Sequence, residues 1–260
     1  MTNSFRYEKD SMGTIQVPAK ALWGAQTQRS IMNFSIGEEL IPIELIYSIT
    51  VIKKAAAIEN CKIGLIEKLK KDLIVEACEE ILDGKHDSQF PLKIWQTGSG
   101  TQTNMNVNEV ISNIAALKTK TELGSHQPIH PNDDVNKSQS TNDTFPAAIQ
   151  ISVVAAIIKK LLPSIKELTL VLDRKSNEWK DLIKIGRTHF QDAVPISLGQ
   201  EVSAWSKQLK DAEDALLMSL DELCFLPLGG TAVGTGINCP RDFCEESIKS
   251  ISEDTDLLFL

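Results

Sequence analysis

Cysteine is scarce in this chain, and basic charge does not accumulate anywhere along it. The cysteines are scattered, odd in number and free of C-x-x-C spacing, which fits reduced structural thiols rather than a disulfide framework or a zinc site. They are Cys61, Cys78, Cys224, Cys239 and Cys244. Twenty-seven Lys and Arg against thirty-five Asp and Glu leave a formal charge of -8. No nucleic-acid partner is therefore expected, and any anion site needs a local cluster of donors, because an acidic surface repels acidic substrates.

A targeting segment is also missing. The N-terminal stretch MTNSFRYEKDSMG alternates acids and bases and has no apolar core, so the cytoplasm is the expected compartment. The longest uncharged run, TFPAAIQISVVAAII over 144–158, is shorter than a bilayer span, and no membrane association is expected. This run predicts a deeply buried helix. Because it is apolar on nearly all sides, it needs neighbours inside a bundle or at an oligomer interface.

Apolar residues recur at three- and four-residue spacing along most of the chain, which predicts a mainly α fold. Helices are expected over 41–60, 64–83, about 104–120, 144–180 with a kink at Pro163, and 199–223, followed by a last helical segment. The loop ELGSHQPIHPNDD is rich in Pro, Gly, Asn and Asp. It predicts a boundary between an N-terminal domain, 1–139, and the first part of a long-helix bundle, 140–260.

Three polar islands interrupt the helical pattern: TGSGTQTN (97–104), HPNDDVNKSQSTND (130–143) and GRTHFQD (186–192). Their hydroxyl and amide side chains offer neutral hydrogen bonds where a merely soluble loop would use Lys and Glu. Each island is expected at the start of a long helix, where unpaired N–H groups and the helix dipole favour an anion. Taken singly, each is more simply explained as N-caps. The three together favour an anion site.

Motifs for metals and for nucleotide phosphates are absent, and no metal or cofactor is expected. The four histidines form no H-E-x-x-H pattern, and GSGTQTN lacks the G-K-[ST] ending of a P-loop. The adjacent acids Asp133 and Asp134 are more simply explained as caps in a turn. Beside the neutral donors remain Lys137, Arg187 and the imidazole of His189. A lone histidine is more often a structural group than a catalytic one.

The stretches GSGTQTNMNVNEV, HPNDDVNKSQSTND and GRTHFQDAVPISLGQE together resemble the class II fumarases of the fumarase/aspartase superfamily. The similarity begins at RYEKDSMGTIQVPAKALWGAQTQRS and continues to the last residue. The nearest rival, aspartate ammonia-lyase, has G-G-A-G-T-S-x-N, N-P-N-D-H and G-R-T-Q where this chain has TGSGTQTN, HPNDD and GRTH. All three differences favour a fumarase. Thr141, where many fumarases carry a second serine, leans the other way but keeps the hydroxyl.

The resemblance implies reversible hydration of fumarate to (S)-malate in the tricarboxylic acid cycle, without a cofactor, in a homotetramer whose sites are shared between subunits. The ligands that it implies for the substrate carboxylates are Ser99, Thr101, Ser140, Thr141 and Asn142. The residues that it implies for handling the water and its proton are Thr188 and His189. A second, non-catalytic dicarboxylate site is implied at His130, Asn132 and Asp133. Neutral dipoles in a water-poor site suit the doubly charged, carbanion-like intermediate of this reaction.

One family feature is missing from these 260 residues. The third signature, a flexible loop of the type G-S-S-x-M-P-x-K-x-N-P, supplies the serine thought to remove the carbon-bound proton, together with a lysine and an asparagine for the substrate. Two interpretations therefore stay open. The chain is a fumarate hydratase whose sequence has been shortened and that is inactive alone, or it is a non-catalytic scaffold that needs a separate C-terminal polypeptide.

Overall fold

The fold is known from a computed structural model that describes residues 4–260. The strands are β1 (Phe5–Asp10), β2 (Gly13–Pro18), β3 (Ile183–Thr188) and β4 (Gln191–Ser197). The helices are α1 (Ala25–Asn33), α2 (Ile43–Lys62), α3 (Lys68–Leu82), α4 (Thr101–Thr119), α5 (Thr141–Ala156), α6 (Leu162–Glu178), α7 (Leu198–Leu223) and α8 (Phe243–Thr255). Short helical segments lie at Asp87–Gln89, Pro131–Val135 and Ile157–Leu161. The predicted mainly α fold is confirmed.

The chain divides into two compact units. One contains the residues up to Ser152 together with Phe225–Leu260, and the other is Val153–Cys224. The predicted boundary after Gln139 is not where these units separate, because α5 packs with the residues on its N-terminal side. As a boundary between domains of the complete family fold, it stays a prediction.

The core of the first unit surrounds α2, which packs against α3, α4 and α8. Isoleucines and valines at helical spacing fill the space between these helices and are at most 2% exposed. They include Ile46, Ile49, Ile52, Ile74, Ile81, Val107, Ile111 and Ile251. β1 and β2 form an antiparallel hairpin in register Phe5↔Pro18 to Asp10↔Gly13. This packing fixes the N-terminal ends of α4 and α5, where the first two polar islands lie.

The second unit is built from α6 packed on α7 and from the antiparallel hairpin of β3 and β4. A capping box starts α7: Ser197 Oγ accepts from the N–H of Gln200 at 3.0 Å, and Gln200 Oε1 accepts from the N–H of Ser197 at 2.9 Å. The sequence predicted that the third polar island begins a helix, and this prediction is wrong. The island occupies the hairpin tip, because the strand residues on either side pair with each other before α7 starts.

The apolar run at 144–158 lies in a continuous helical stretch, Thr141–Glu178, of 38 residues. The most apolar 18 consecutive residues of this stretch have a mean hydropathy of 1.7, and 33% of them are buried. By length and composition alone, the stretch could therefore cross a membrane. Core helices of soluble proteins pass the same test. The expectation of deep burial is corrected, since Ile149 and Val153 are 43% and 37% exposed.

The expected irregularity near Pro163 is present. A π-helical segment, Ile157–Leu161, separates α5 from α6 and ends two residues before the proline. Proline cannot donate a backbone hydrogen bond, and its ring crowds the preceding turn, so a widened turn at this point accommodates it.

Candidate active site

The first polar island forms the N-terminal end of α4. Gly100 is the N-cap residue and adopts φ 73°, a left-handed conformation that glycine reaches without steric cost. A Cβ built on Gly100 would lie 2.2 Å from Cγ of Phe145 on α5. The glycine therefore permits the close approach that brings the starts of α4 and α5 together.

Three hydroxyl groups line this end of α4. Ser99 Oγ lies 3.2 Å from Thr101 Oγ1 and 3.2 Å from Thr97 Oγ1. All three side chains are exposed. Since the N-cap is a glycine and provides no side-chain acceptor, these hydroxyls and the first backbone N–H groups of the helix are the donors available at this position.

The second island forms the N-terminal end of α5. Ser140 donates its backbone N–H to Asp143 Oδ1 at 3.0 Å, and its hydroxyl oxygen accepts from the N–H of Asn142 at 3.2 Å. Asn142 donates from Nδ2 to the carbonyl oxygen of Ala232 at 2.7 Å. Ser140, Thr141 and Asn142 thus lie in one turn whose backbone is held by local hydrogen bonds.

A direct hydrogen bond joins the two islands. Asn104, buried on α4, donates from Nδ2 to Thr141 Oγ1 at 2.9 Å and to Asn136 Oδ1 at 3.1 Å. The Thr141 oxygen is therefore an acceptor toward the protein, and its hydroxyl hydrogen is available to another acceptor. The structure brings together the residues of the first two islands, as the sequence predicted.

Asp143 is a residue of this site that the sequence reasoning missed. It is 2% exposed, and its Oδ2 accepts from the backbone N–H groups of Gly229 at 3.2 Å and Thr231 at 2.9 Å. The carboxylate thus ties the glycine-rich segment before α8 to the start of α5. The signal in the sequence was the capping pattern S-T-N-D, in which an acid follows Ser140 by three residues.

Two of the three residues predicted for a second dicarboxylate site, His130 and Asn132, line a cavity of about 430 Å³, whereas Asp133 does not. His130 Nδ1 accepts from the N–H groups of Asn132 at 3.2 Å and Asp133 at 3.0 Å, so the ring caps the turn that follows it. His126 meets the His130 ring edge-on with centroids 4.8 Å apart. Burial and the neighbouring His130 lower the pKa of His126. The capping contacts explain the fold of this turn, and the dicarboxylate site stays a prediction.

Thr188 and His189 lie in the second compact unit, at the tip of the β3–β4 hairpin. Thr188 pairs with Gln191, which leaves His189 and Phe190 as a two-residue turn with φ values of 48° and 60°. Such turns favour Asn and Gly, and bulky residues in the left-handed region are strained. Both side chains are exposed, Phe190 by 95%. The strained turn presents the imidazole away from the hairpin.

The polar groups at the starts of α4 and α5 are mostly uncharged. Hydroxyls and side-chain amides lie at both helix starts, together with the first backbone N–H groups of the helices. Such fixed dipoles stabilise an anion without the reorganisation that mobile charges require. Within residues 4–260, no group of three or more His, Cys, Asp or Glu side chains is placed to hold a metal ion.

Comparisons with known proteins found relatives that match nearly the whole chain. A family model described as "Lyase" matches residues 13–258. The class II fumarate hydratase of Prochlorococcus marinus subsp. pastoris is 85% identical over 259 residues, which cover 100% of this chain and 56% of that protein. The one of Bacillus subtilis is 46% identical and covers 98% of this chain and 55% of its own length. The crystal structure of a recombinant class II fumarase from Schistosoma mansoni aligns with a TM-score of 0.91 at 47% identity, over 97% of this chain and 53% of that one.

The expected resemblance to class II fumarases is confirmed by these relatives, and the chain spans about half of their length. Since the family match covers nearly the whole sequence, the chain belongs to this family of lyases.

Proposed function

We propose that the chain carries the substrate-binding part and the proton-handling histidine of a fumarate hydratase, which interconverts fumarate and (S)-malate. The observation that carries the proposal is the 2.9 Å hydrogen bond from Asn104 Nδ2 to Thr141 Oγ1. Because the hydroxyl oxygen of Thr141 accepts this bond, its hydrogen is left for an anionic ligand. A dicarboxylate is the ligand that the names of the relatives support.

The neutral donors suit the difficult step of the reaction. Dehydration of malate removes a weakly acidic proton beside a carboxylate, and the intermediate carries additional negative charge on that carboxylate. Hydroxyls and amides that are already oriented stabilise this charge as it develops. In the proposal the donors to the substrate carboxylates are Ser99, Thr101, Ser140, Thr141 and Asn142.

Thr188 and His189 position the water and move its proton. An imidazole titrates near neutral pH, so it can take a proton from water in one direction and return it to the leaving hydroxyl in the other. His189 is exposed on this chain. A water-poor site therefore requires a cover from other polypeptide, and the proposal includes a homotetramer with sites shared between subunits. The exposed apolar residues Ile149, Val153 and Leu161 support such association.

The chain is proposed to act in the cytoplasm. The five free cysteines are consistent with the reducing cytoplasm. His130, Asn132 and Asp133 are proposed to hold a second, non-catalytic dicarboxylate. Asp10 and Glu109 line the cavity beside His130 and Asn132, and Lys9 is the cation in the same lining.

The experiment supplies this chain with the part of the Prochlorococcus relative that it does not cover, and follows fumarate by its ultraviolet absorbance. We expect malate to be dehydrated and aspartate not to be deaminated. Thr141→Val, which replaces the hydroxyl by a methyl, should raise the KM for malate, whereas Thr141→Ser should retain it. Deamination of aspartate in place of malate dehydration would overturn the proposal in favour of an aspartate ammonia-lyase.

A further inference from the structure

Lys53, in the middle of α2, is completely buried, although lysine is among the residues least often found in protein interiors. Its Nζ donates to Asn136 Oδ1 at 2.8 Å and to Gln139 Oε1 at 3.0 Å. Both acceptors are neutral amides of the second polar island. Burying an ammonium without a direct carboxylate partner costs stability. A lysine retained under this cost calls for a functional explanation.

Asn136, one of the two acceptors of Lys53, is the partly buried centre of an amide network that includes the buried Asn104 and Asn108. Asn136 Oδ1 also accepts from Asn104 Nδ2 at 3.1 Å and from Asn108 Nδ2 at 3.4 Å. An amide oxygen has two lone pairs, so these three donors share it, and the Lys53 bond is the shortest of the three. The orientation of the Asn136 amide in turn decides which way the Asn104 amide is turned.

Asn104 connects this network to the candidate active site, because the Nδ2 atom that donates to Asn136 also donates to Thr141 Oγ1 at 2.9 Å. We propose that Lys53 is a positioning residue, which acts through Asn136 and Asn104 to hold the Thr141 hydroxyl in the orientation that donates to a substrate carboxylate. This inference rests on the proposed function, since it is there that Thr141 binds the substrate.

The electrostatics of the surroundings agree with this role. Burial lowers the pKa of Lys53 to about 7, while the Asp143 carboxylate at the start of α5 acts in the opposite direction. Burial raises the pKa of the Cys78 thiol of α3, so this thiol stays neutral near pH 7 and adds no charge beside Lys53. Facing Lys53 from the other elements are the neutral amides of Asn136 and Gln139. Lys53 therefore changes its charge near neutral pH behind an anion site.

Lys54 provides a matched control on the same helix. Its Nζ lies 3.2 Å from the Asp254 carboxylate of α8 and 3.8 Å from that of Glu79 on α3. Lys54 is therefore paired with carboxylates of α3 and α8. Lys53→Met and Lys54→Met remove the same charge from adjacent positions, and only the first removes a donor from the amide network.

The first test uses magnetic resonance on the 260-residue chain and needs no activity. In the wild type, the 15Nζ signal of Lys53 and the side-chain amide signals of Asn104 should titrate together with a midpoint near the pKa of about 7. In Lys53→Met the Asn104 signals should move and lose that titration, whereas Lys54→Met should match the wild type. Asn104 signals that are unaffected by Lys53→Met, or that titrate at a different midpoint from Lys53 in the wild type, would overturn the inference.

The second test is kinetic and uses the chain supplemented with the missing part of the Prochlorococcus relative. Lys53→Met should lower kcat/KM for malate about tenfold, because it weakens a contact to a substrate carboxylate that strengthens as charge develops. An unchanged kcat/KM, or an equal effect of Lys54→Met, would contradict the inference. If no variant and no wild-type mixture is active, the proposed function fails, and the magnetic resonance result still decides whether Lys53 orients Asn104.

Discussion

The candidate site residues fall into two groups, one at the starts of α4 and α5 and one at the tip of the β3–β4 hairpin. The two groups differ in how far contacts within the chain hold them. At the helix starts, buried side chains hold the candidate ligand-binding groups: Asn104 donates to Thr141, and Asp143 accepts from the segment before α8. At the hairpin tip, His189 is exposed and is presented by a strained turn. The proposed binding groups are therefore held by contacts within the chain, whereas the proposed proton-handling group is exposed.

The two regions also use left-handed backbone differently. Gly100 adopts φ 73° without steric cost and makes room for the Phe145 ring. His189 and Phe190 adopt the same region with full side chains, which costs on the order of 1–3 kcal/mol per residue. The left-handed conformation of Gly100 serves packing, whereas that of His189 places backbone strain at a proposed catalytic residue. Substitutions in the two regions should therefore differ in whether they change stability or turnover.

The largest expected effect is on turnover. In an active assembly, His189→Asn should lower kcat by about 10²- to 10⁴-fold, because it removes the general acid–base group. The free energy of unfolding should not fall, and it should rise slightly, since the side chain is exposed and Asn adopts φ 48° more readily than His. The rate of malate dehydration and a urea titration measure the two quantities. His130→Asn is the control and should affect turnover far less. Equal, small effects of both substitutions would show that His189 is wrongly assigned.

A substitution at Gly100 should change the free energy of unfolding. Gly100→Ala adds a Cβ that would lie 2.2 Å from the Phe145 ring, at a backbone conformation that alanine disfavours. We expect a loss of about 2–4 kcal/mol in the free energy of unfolding. Gly98→Ala is the matched control two residues away. It meets nothing within 4 Å and should change stability by less than about 0.5 kcal/mol. Similar urea midpoints for the two variants would contradict the close approach of α4 and α5.

Lys53 should make the stability of the binding region depend on pH. Its pKa is about 7 in the native chain against an ordinary value of 10.5, so between these values the unfolded chain binds a proton that the native chain lacks. The free energy of unfolding therefore rises with pH over this window, and below pH 7 the native state carries the full cost of the buried charge. Lys53→Met should be about 1–4 kcal/mol more stable than the wild type below pH 7.

That advantage should shrink as the pH rises toward 10. Because both chains keep Cys78, its thiol cancels in the difference between them. Urea titrations of wild type and variant between pH 6 and 10 measure this difference. A constant difference over the whole range, or one that grows with pH, would show that Lys53 is not buried with a lowered pKa.

The smallest expected effect comes from relaxing the hairpin turn. Phe190→Gly should raise the stability of the chain by about 0.5–1 kcal/mol, because glycine adopts φ 60° freely. Val194→Gly, at an exposed position of β4, should instead lower stability, since glycine weakens a strand. Thermal unfolding of the two variants would detect the opposite signs. A loss of stability in both would mean that the turn is not strained.

The helices and the first two polar islands were predictable from the sequence, because helical periodicity and N-cap residues are local signals. The placement of GRTHFQD at a hairpin tip was not, since a turn made of His189 and Phe190 lacks the Asn-Gly signal of such turns. The role of Lys53 was also invisible. It stands beside Lys54 in an amphipathic pattern, and only the packing of α2 distinguishes the buried lysine from its paired neighbour. Long-range partners such as Asn136 leave no trace in local sequence.

The most direct measurement concerns the polypeptide of residues 1–260 itself. It contains the proposed binding groups and His189, but no G-S-S-x-M-P stretch to supply a proton-abstracting serine. Binding groups without the reacting group leave most of the barrier in place. After helicity is confirmed by circular dichroism, fumarate absorbance is followed with and without a polypeptide that supplies the uncovered part of the Prochlorococcus relative. We predict no hydration by residues 1–260 alone and activity on addition. Activity in the isolated chain, or none in the mixture, would contradict the account.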